Sequence, residues 1–327
     1  MVRHFVDLFD TTAAEARALL ELAAELKRDD RRGERAPALA GRTLAMIFEK
    51  PSLRTRVSFE AAIAQLGGVA VFLRNEDVGL GVRESVADFA RVVSQYVDAF
   101  AVRTFAHATV LELAKHATIP VINALSDAAH PCQAMADLLT IREALGRLDG
   151  ARLVFVGDGN NVARSLAVAS ALLGVEFVLA CPEGYAFPDD FRARFAATYP
   201  SLPLLIDHNP AHAVAGADTV YTDVWASMGQ EDEAEHRRSA FAPFQVDDDL
   251  LGRARPGAIF LHCLPAHRGE EVTASVLDGP RSRVIAQAAN RLHFQKALLL
   301  WLIGGGSESA TEGHMTLSPR GKIHAPT

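Results

Sequence analysis

Short apolar runs at residues 43–48, 69–73, 99–103 and 120–124 alternate with stretches of helical periodicity at about 54–66, 85–96 and 108–117. This alternation is the strongest constraint on the fold, because β and α segments at such spacing give parallel strands joined by crossover helices. The pattern then restarts. A long helix over about 131–146 leads to Gly150, and after it come a strand at 152–156, the turn Gly157-Asp158-Gly159-Asn160-Asn161, a helix at 162–173 and a strand at 175–181. Further strands are legible at 203–206, 218–223 and 258–262. The expected fold is therefore α/β with two domains, each a parallel sheet flanked by helices, with the boundary near 137–150 and the domains at 1–140 and 150–281.

Thr12-Ala13-Ala14-Glu15 reads as a capping box, and Ala16, Leu19, Leu20, Ala23 and Leu26 recur behind it at helical spacing, so an amphipathic helix opens the chain. A last strong helix, 282–303, carries Val284, Ile285, Ala288, Leu292, Leu299 and Trp301 and is long enough to cross back onto the first domain. The remainder, 304–327, is Gly/Ser-rich and without period, and is expected to be mobile.

The 327 residues suffice for two cores, and a formal charge of −7 with no long basic block argues against a nucleic-acid surface. Three cysteines, Cys132, Cys181 and Cys263, lie far apart in an odd number, so neither a disulfide framework nor a four-cysteine zinc site is available. A reducing cytoplasm fits. No apolar run approaches the roughly 20 residues needed to span a bilayer, and residues 1–10 lack a leader pattern.

Residues with chemistry collect at the ends of the expected strands, where open parallel sheets bind ligands. After 43–48 the chain reads Glu49-Lys50-Pro51-Ser52-Leu53-Arg54-Thr55-Arg56. A helix restarting there would present first-turn N–H groups, hydroxyls and a forked guanidinium, a donor set suited to a phosphate. A capped helix start with solvated arginines is the plainer alternative. Arg103 closes an apolar strand and needs an anion, which a salt bridge within the fold would supply equally well. His130-Pro131-Cys132-Gln133 opens a helix and offers a donor for a carbonyl oxygen and an amide for an NH₂ group, or else a capping pair. Gly157 to Asn161 begins like a dinucleotide loop, but Val stands at 162 where Gly is needed, and 175–181 ends in Cys181-Pro182 without a ribose-gripping acid. Its paired amides can instead hold a carboxylate. Asp223 ends a strand, with Ser227, Met228 and Gly229 close behind, a set that suits a zwitterionic amino acid or serves as an ordinary turn. His262-Cys263-Leu264-Pro265-Ala266-His267-Arg268-Gly269-Glu270-Glu271 could suggest zinc, but no matching outside ligand is evident, and Cys263 reads better as a ligand-facing thiol.

In this order, Ser52-Leu53-Arg54-Thr55-Arg56, Arg103-Thr104, His130-Pro131-Cys132-Gln133, 223–230 and 262–271 resemble the carbamoyltransferases, over about residues 3–303. The last two motifs look like the ornithine-specific branch of that family. The resemblance implies carbamoyl transfer from carbamoyl phosphate to the δ-amine of L-ornithine, without cofactor or metal, in a homotrimer. It implies that Ser52, the Leu53 backbone, Arg54, Thr55 and Arg103 hold the phosphate, that Arg103, Thr55 and His130 donate to the carbonyl oxygen, and that Gln133 and the Leu264 carbonyl accept from the carbamoyl NH₂. Arg291 would close over the carbamoyl group. Asn161, Ser227 and the Met228 backbone would orient ornithine's α-groups, with Asp223 and Cys263 flanking its δ-amine.

Two positions depart from the family pattern. Leu53 stands where many members have Thr, and Gly79 stands where many carry a Gln that reaches a neighbouring subunit's carbamoyl phosphate, which makes Arg83 on the same loop the candidate replacement. The rival readings are a sister transferase acting on putrescine or N-acylated ornithine, a catalytically silent homologue, and, more distantly, a nicotinamide dehydrogenase. A silent homologue should have lost Arg54, His130 or Cys263, and all three are present.

Overall fold

A computed structural model of the chain describes residues 2–226, 231–304, 316–317 and 323–324. It separates into two compact units, Met1–Met135 with Arg291–Thr327, and Ala136–Asn290.

In the first unit β1 (Thr43–Phe48), β2 (Val69–Arg74), β3 (Ala99–Arg103) and β4 (Val121–Leu125) form one parallel sheet in the order β2-β1-β3-β4. β3 is buried along its whole length and β1 from Leu44 onward, which is why both read as uninterrupted apolar runs. β2 lies at the edge and leaves Val69 and Val71 exposed. The chain steps from β1 outward to β2 and then back to the other side of β1. The reversal between β1 and β3 opens a crevice at their C-terminal ends. There the Glu49 N–H donates to the Arg103 carbonyl (2.8 Å) and the Thr104 N–H to that of Leu125 (3.0 Å), fastening the segments that leave β1, β3 and β4. Ala45, Ile47, Phe89, Phe100, Val102 and Val110 anchor one apolar cluster of this unit.

The second unit holds β5 (Arg152–Val156), β6 (Glu176–Ala180), β7 (Leu205–Asp207), β8 (Thr219–Thr222) and β9 (Ile259–His262), all parallel, in the order β7-β6-β5-β8-β9. The order reverses between β5 and β8, so a second crevice opens beyond Val156 and Thr222. Val154, Val178, Val220, Phe241, Phe260 and Val276 belong to its core.

The expected strands fall within two residues of those observed. Helices Asp189–Thr198, Pro210–Val214, Ala234–Phe241 and Asp248–Gly252 were not anticipated from the sequence. Each is short and buries few residues, so little periodicity marks it. Residues Arg291–Ile303 of the final helix, Val284–Ile303, belong to the first unit, where the buried Lys296 ammonium donates to Asp30 (2.7 Å) on the opening helix Ala13–Arg32. That opening helix has the expected capping box, with the Glu15 N–H donating to Thr12 and the Thr12 N–H to Glu15. Within 304–327, a two-residue antiparallel pairing of Thr316–Leu317 with Ile323–His324 is described. The expected mobility otherwise concerns residues outside the described ones.

Candidate active site

In the first unit, β1 runs out at Phe48 and the helix Leu53–Gln65 begins after Ser52. Ser52 caps it, its oxygen accepting from the Thr55 N–H (3.4 Å) while its own hydroxyl donates to Thr55 Oγ1 (3.0 Å). From the final helix, Arg291 Nη2 also donates to Thr55 Oγ1 (2.7 Å), and Nη1 to Gln133 Oε1 (2.6 Å). Thr55, itself fully buried, thus accepts twice. Gln133 already uses its amide oxygen for Arg291, so an incoming NH₂ must share that oxygen. Arg54 is half-buried and has no side-chain partner among the described residues. Arg56 turns elsewhere, pairing with Glu60 (2.9 Å) and lying over the Phe72 ring (4.0 Å).

Arg103 is buried at the end of β3, across the switch point from Ser52. His130 is buried just before the helix Pro131–Leu145. Burial, then the guanidiniums of Arg291 and Arg103, hold its imidazole well below the usual value of 6.5. At neutral pH it is an uncharged N–H donor beside two cations. Cys132 has a different role, since burial pushes its thiol up to about 12 and its sulfur donates to the Asn123 carbonyl (3.5 Å).

In the second unit, Asn160 caps the helix Asn161–Leu173 by accepting from the N–H groups of Val162 (3.0 Å) and Ala163 (2.9 Å). Its amide nitrogen donates to Asp223 Oδ2 (3.0 Å) across the β5/β8 switch point. Asp223 Oδ1 accepts from the Val224 N–H (2.9 Å) and the Cys263 thiol (3.0 Å). Burial and then the Asp223 carboxylate push the Cys263 thiol well above its usual 9.0, so it is a proton-bearing thiol and not a nucleophile. The sequence suggests that Asn160 and Asn161 together hold a carboxylate, but the Asn160 amide is occupied at both ends by the helix cap and Asp223. Asn161 is half-buried at the first position of that helix, while Ser227 and Met228 lie outside the described residues.

Two further buried polar networks frame this half. Asp137 accepts from the Tyr221 hydroxyl (3.0 Å) and Gln287 Nε2 (2.8 Å). Arg237 donates to the Trp225 carbonyl (2.7 Å) and pairs with Asp158, whose carboxyl burial raises to about 6. Neither pairing is visible in the sequence, because its members are separated by up to 150 positions.

An outside partner for His262 and Cys263, not evident in the sequence, does exist, because Asp223 lies with them in a group whose donor atoms fall within 4.8 Å of one another. The group still offers no open imidazole: His262 Nδ1 accepts from the Leu264 N–H (2.8 Å), and its Nε2 donates to Glu271 (3.1 Å). The dinucleotide-like loop is closed as well. A Cβ on Gly159 would stand 2.7 Å from the Phe187 nitrogen and 2.8 Å from the Ala186 carbonyl carbon, so its own chain occupies the approach a pyrophosphate needs. Gly79 has φ of +58°, and a Cβ there would meet Arg83 Cγ at 2.7 Å, so the Arg83 stem fills the space beside it.

One unit thus offers donors for a phosphate and a polarised carbonyl, and the other an acid and a thiol for an amine. That combination is the equipment of a group-transfer enzyme. Residues 3–143 match the model of the aspartate/ornithine carbamoyltransferase carbamoyl-P binding domain, and residues 149–302 that of the Asp/Orn binding domain. The chain belongs to the aspartate/ornithine carbamoyltransferase family. It is 53% identical over 303 residues to the ornithine carbamoyltransferase of Anoxybacillus flavithermus, covering 92% of this chain and 96% of the relative. To the anabolic ornithine carbamoyltransferase of Pyrococcus furiosus it is 53% identical over 308 residues, 93% and 97% of the two chains. The solved structure of ornithine carbamoyltransferase from Pyrococcus furiosus superposes with a TM-score of 0.90 at 51% identity, covering 93% of this chain and 97% of that one. The structure of the Thermus thermophilus enzyme gives 0.83 at 44%, covering 93% and 99%.

Proposed function

We infer that this chain transfers the carbamoyl group of carbamoyl phosphate to the δ-amine of L-ornithine, forming L-citrulline and phosphate. The observation that carries the choice of ornithine over aspartate is the Asp223–Cys263 pair, an acid and a protonated thiol at the second switch point. Such a pair attracts and orients an amine and would repel a second carboxylate.

In this reading Ser52, the Leu53 backbone, Arg54, Thr55 and Arg103 bind the phosphate, with Arg291 and Gln133 beside the carbamoyl group. Thr55, Arg103 and neutral His130 donate to the carbonyl oxygen as it gains negative charge. Asp223 and Cys263 hold the δ-nitrogen, and Asn161, Ser227 and Met228 hold the α-groups. An ammonium has no lone pair, so the amine attacks in its neutral form. The C–N bond forms, the bond to phosphate breaks, and the departing phosphate takes the surplus proton. Orienting both reactants removes up to roughly 7–11 kcal/mol of entropic barrier in ideal systems.

Within the same reading the enzyme is a cytoplasmic homotrimer of arginine biosynthesis. Support comes from the anabolic relative, from three cysteines without a disulfide, and from the exposed apolar side chains of Leu53, Val57, Val69 and Val71 in the first unit. Among the described residues no helix is long and apolar enough to cross a membrane. Citrulline formation from carbamoyl phosphate, measured with ornithine, aspartate, putrescine and N-acetylornithine in parallel, tests the assignment. A higher kcat/KM for any of the other three overturns it.

A further inference from the structure

His262 and Glu271 are both fully buried, yet neither has been assigned a role toward the substrates. Glu271 Oε1 accepts from His262 Nε2–H (3.1 Å) and from the His267 N–H (2.6 Å), and its second oxygen, without a hydrogen bond among the described residues, lies 3.7 Å from His267 Nδ1. A buried, incompletely satisfied acid is a poor stabiliser, and an apolar pair of similar volume would pack at least as well. What the acid does accomplish is to fix the imidazole. With Nε2 protonated toward Glu271, Nδ1 must carry the lone pair, and it accepts from the Leu264 N–H at 2.8 Å.

The tether falls at a telling point. Leu264 has φ of +59°, the one non-glycine residue with positive φ among those described, in a region costly for a branched side chain. On the other side of Cys263, the His262 N–H donates to Gln287 Oε1 (2.9 Å). Cys263 therefore sits between two fixed peptides, and its thiol reaches Asp223 Oδ1. Without the Leu264 tether the backbone could relax out of the left-handed region, and both the thiol and the Leu264 carbonyl would turn.

We propose that Glu271 and His262 are positioning residues that hold Leu264 in its left-handed conformation and so aim the Cys263 thiol beside Asp223. The pair acts on the δ-amine through Cys263. It uses the imidazole as a directional acceptor, which no aliphatic residue of the same size can imitate.

The test separates the two ring nitrogens. In His262→Asn the amide oxygen takes the place of Nδ1, whereas in His262→Gln the amide nitrogen takes the place of Nε2 and the Leu264 N–H loses its acceptor. Losing a hydrogen bond worth roughly 1.4–3 kcal/mol corresponds to about 10–150-fold, so His262→Gln and His262→Ala should lower kcat within that range. His262→Asn should recover most of the loss, to within about 5-fold of the parent enzyme. Residue-resolved amide hydrogen exchange supplies a readout that does not depend on turnover. The Leu264 amide should be protected in the unmodified protein and exchange at least about 10-fold faster in His262→Gln and His262→Ala, with protection retained in His262→Asn.

Equal kcat in the Asn and Gln variants, or a Leu264 amide that already exchanges at loop rates in the unmodified protein, overturns the proposal. The kinetic arm rests on the ornithine reading and the exchange arm does not. An unmodified protein that makes no citrulline refutes that reading while leaving the tether testable. If a His262 variant fails to fold, Glu271→Met removes the acceptor for His262 Nε2–H at similar size, and a kcat and Leu264 protection both unchanged there count against the pair.

Discussion

Asp223 accepts three hydrogen bonds, from Asn160, Val224 and Cys263, and that saturation permits a test that separates its structural work from its chemical work. In Asp223→Asn, the new amide oxygen can still accept from Val224 and Cys263, but the new NH₂ then faces the NH₂ of Asn160. Turning Asn160 over does not help, because its oxygen caps the following helix through Val162 and Ala163. One buried donor is left unsatisfied, a cost of about 1–3 kcal/mol. At about 2 kcal/mol the melting temperature should fall by roughly 4–8 °C for a unit of this size. Adding Asn160→Asp should reverse that loss. Asp caps a helix as well as Asn and suits the positive N-terminal end, and its second oxygen accepts from the NH₂ at 223. The double variant therefore has every hydrogen bond of the parent, while its carboxylate has moved one side chain away from Cys263. Scanning calorimetry and steady-state kinetics on the parent and the three variants read the two effects separately. Stability should return in the double variant, and kcat/KM for ornithine should stay at least about 10-fold down, with the KM for carbamoyl phosphate little changed. A double variant no more stable than Asp223→Asn would refute the hydrogen-bond account. One that recovers ornithine turnover would refute the catalytic role.

Arg54→Ala should weaken carbamoyl phosphate binding by about 1.5–3 kcal/mol, or roughly 10–150-fold, since a charge-assisted forked contact is lost, and unchanged affinity in a calorimeter would contradict the assignment. Cys263 should resist iodoacetamide near neutral pH because its thiol is raised well above 9.0 by burial and Asp223, and Asp223→Asn should speed labelling; rapid labelling of the unmodified protein would count against the geometry. His130 is held below its unfolded value of 6.5, so its contribution to stability is present above that pH and is lost as pH falls toward the folded value. Arg291→Met removes one of the two cations responsible and should raise the His130 titration in an NMR experiment; a lower or unmoved midpoint would be incompatible with the described contacts. If the proposed oligomer forms and Arg83 serves a neighbour's phosphate, mixing Arg83→Ala chains with chains dead at Arg54 should give activity that departs from the sum of the two unmixed variants, and strict additivity after confirmed reassortment would reject that role.

The parallel strands were legible in the sequence, because buried parallel strands are long apolar runs, and several candidate residues were noticed because they follow those strands directly. Arg54, Arg103, His130, Asp223 and Cys263 could be picked out this way. The sheet order was not legible, since nothing in the composition of β3 or β8 records which neighbour it chose, and it is the order that makes the segments after β1 and β3, and after β5 and β8, converge. The supporting contacts were also hidden. Arg291 reaches Thr55 from 236 positions away, and Asn160 reaches Asp223 from 63. Asn160 stands out in the sequence as one of two adjacent amides and Glu271 as the end of the 262–271 motif, but only burial and pairing show what each holds.

The glycine at 79 and the arginine at 83 form a packed unit, with the long side chain lying where any side chain at 79 would begin. Substitutions at these two positions therefore cannot be inherited or engineered independently. Placing a glutamine at 79 alone asks a residue with φ of +58° to carry a Cβ and at the same time displaces the Arg83 stem, so a single-step route between the two sequences passes through a damaged intermediate. A path that first shortens position 83, or rebuilds the whole turn at once, avoids that valley. Anyone grafting this loop onto another scaffold must carry both residues as one module.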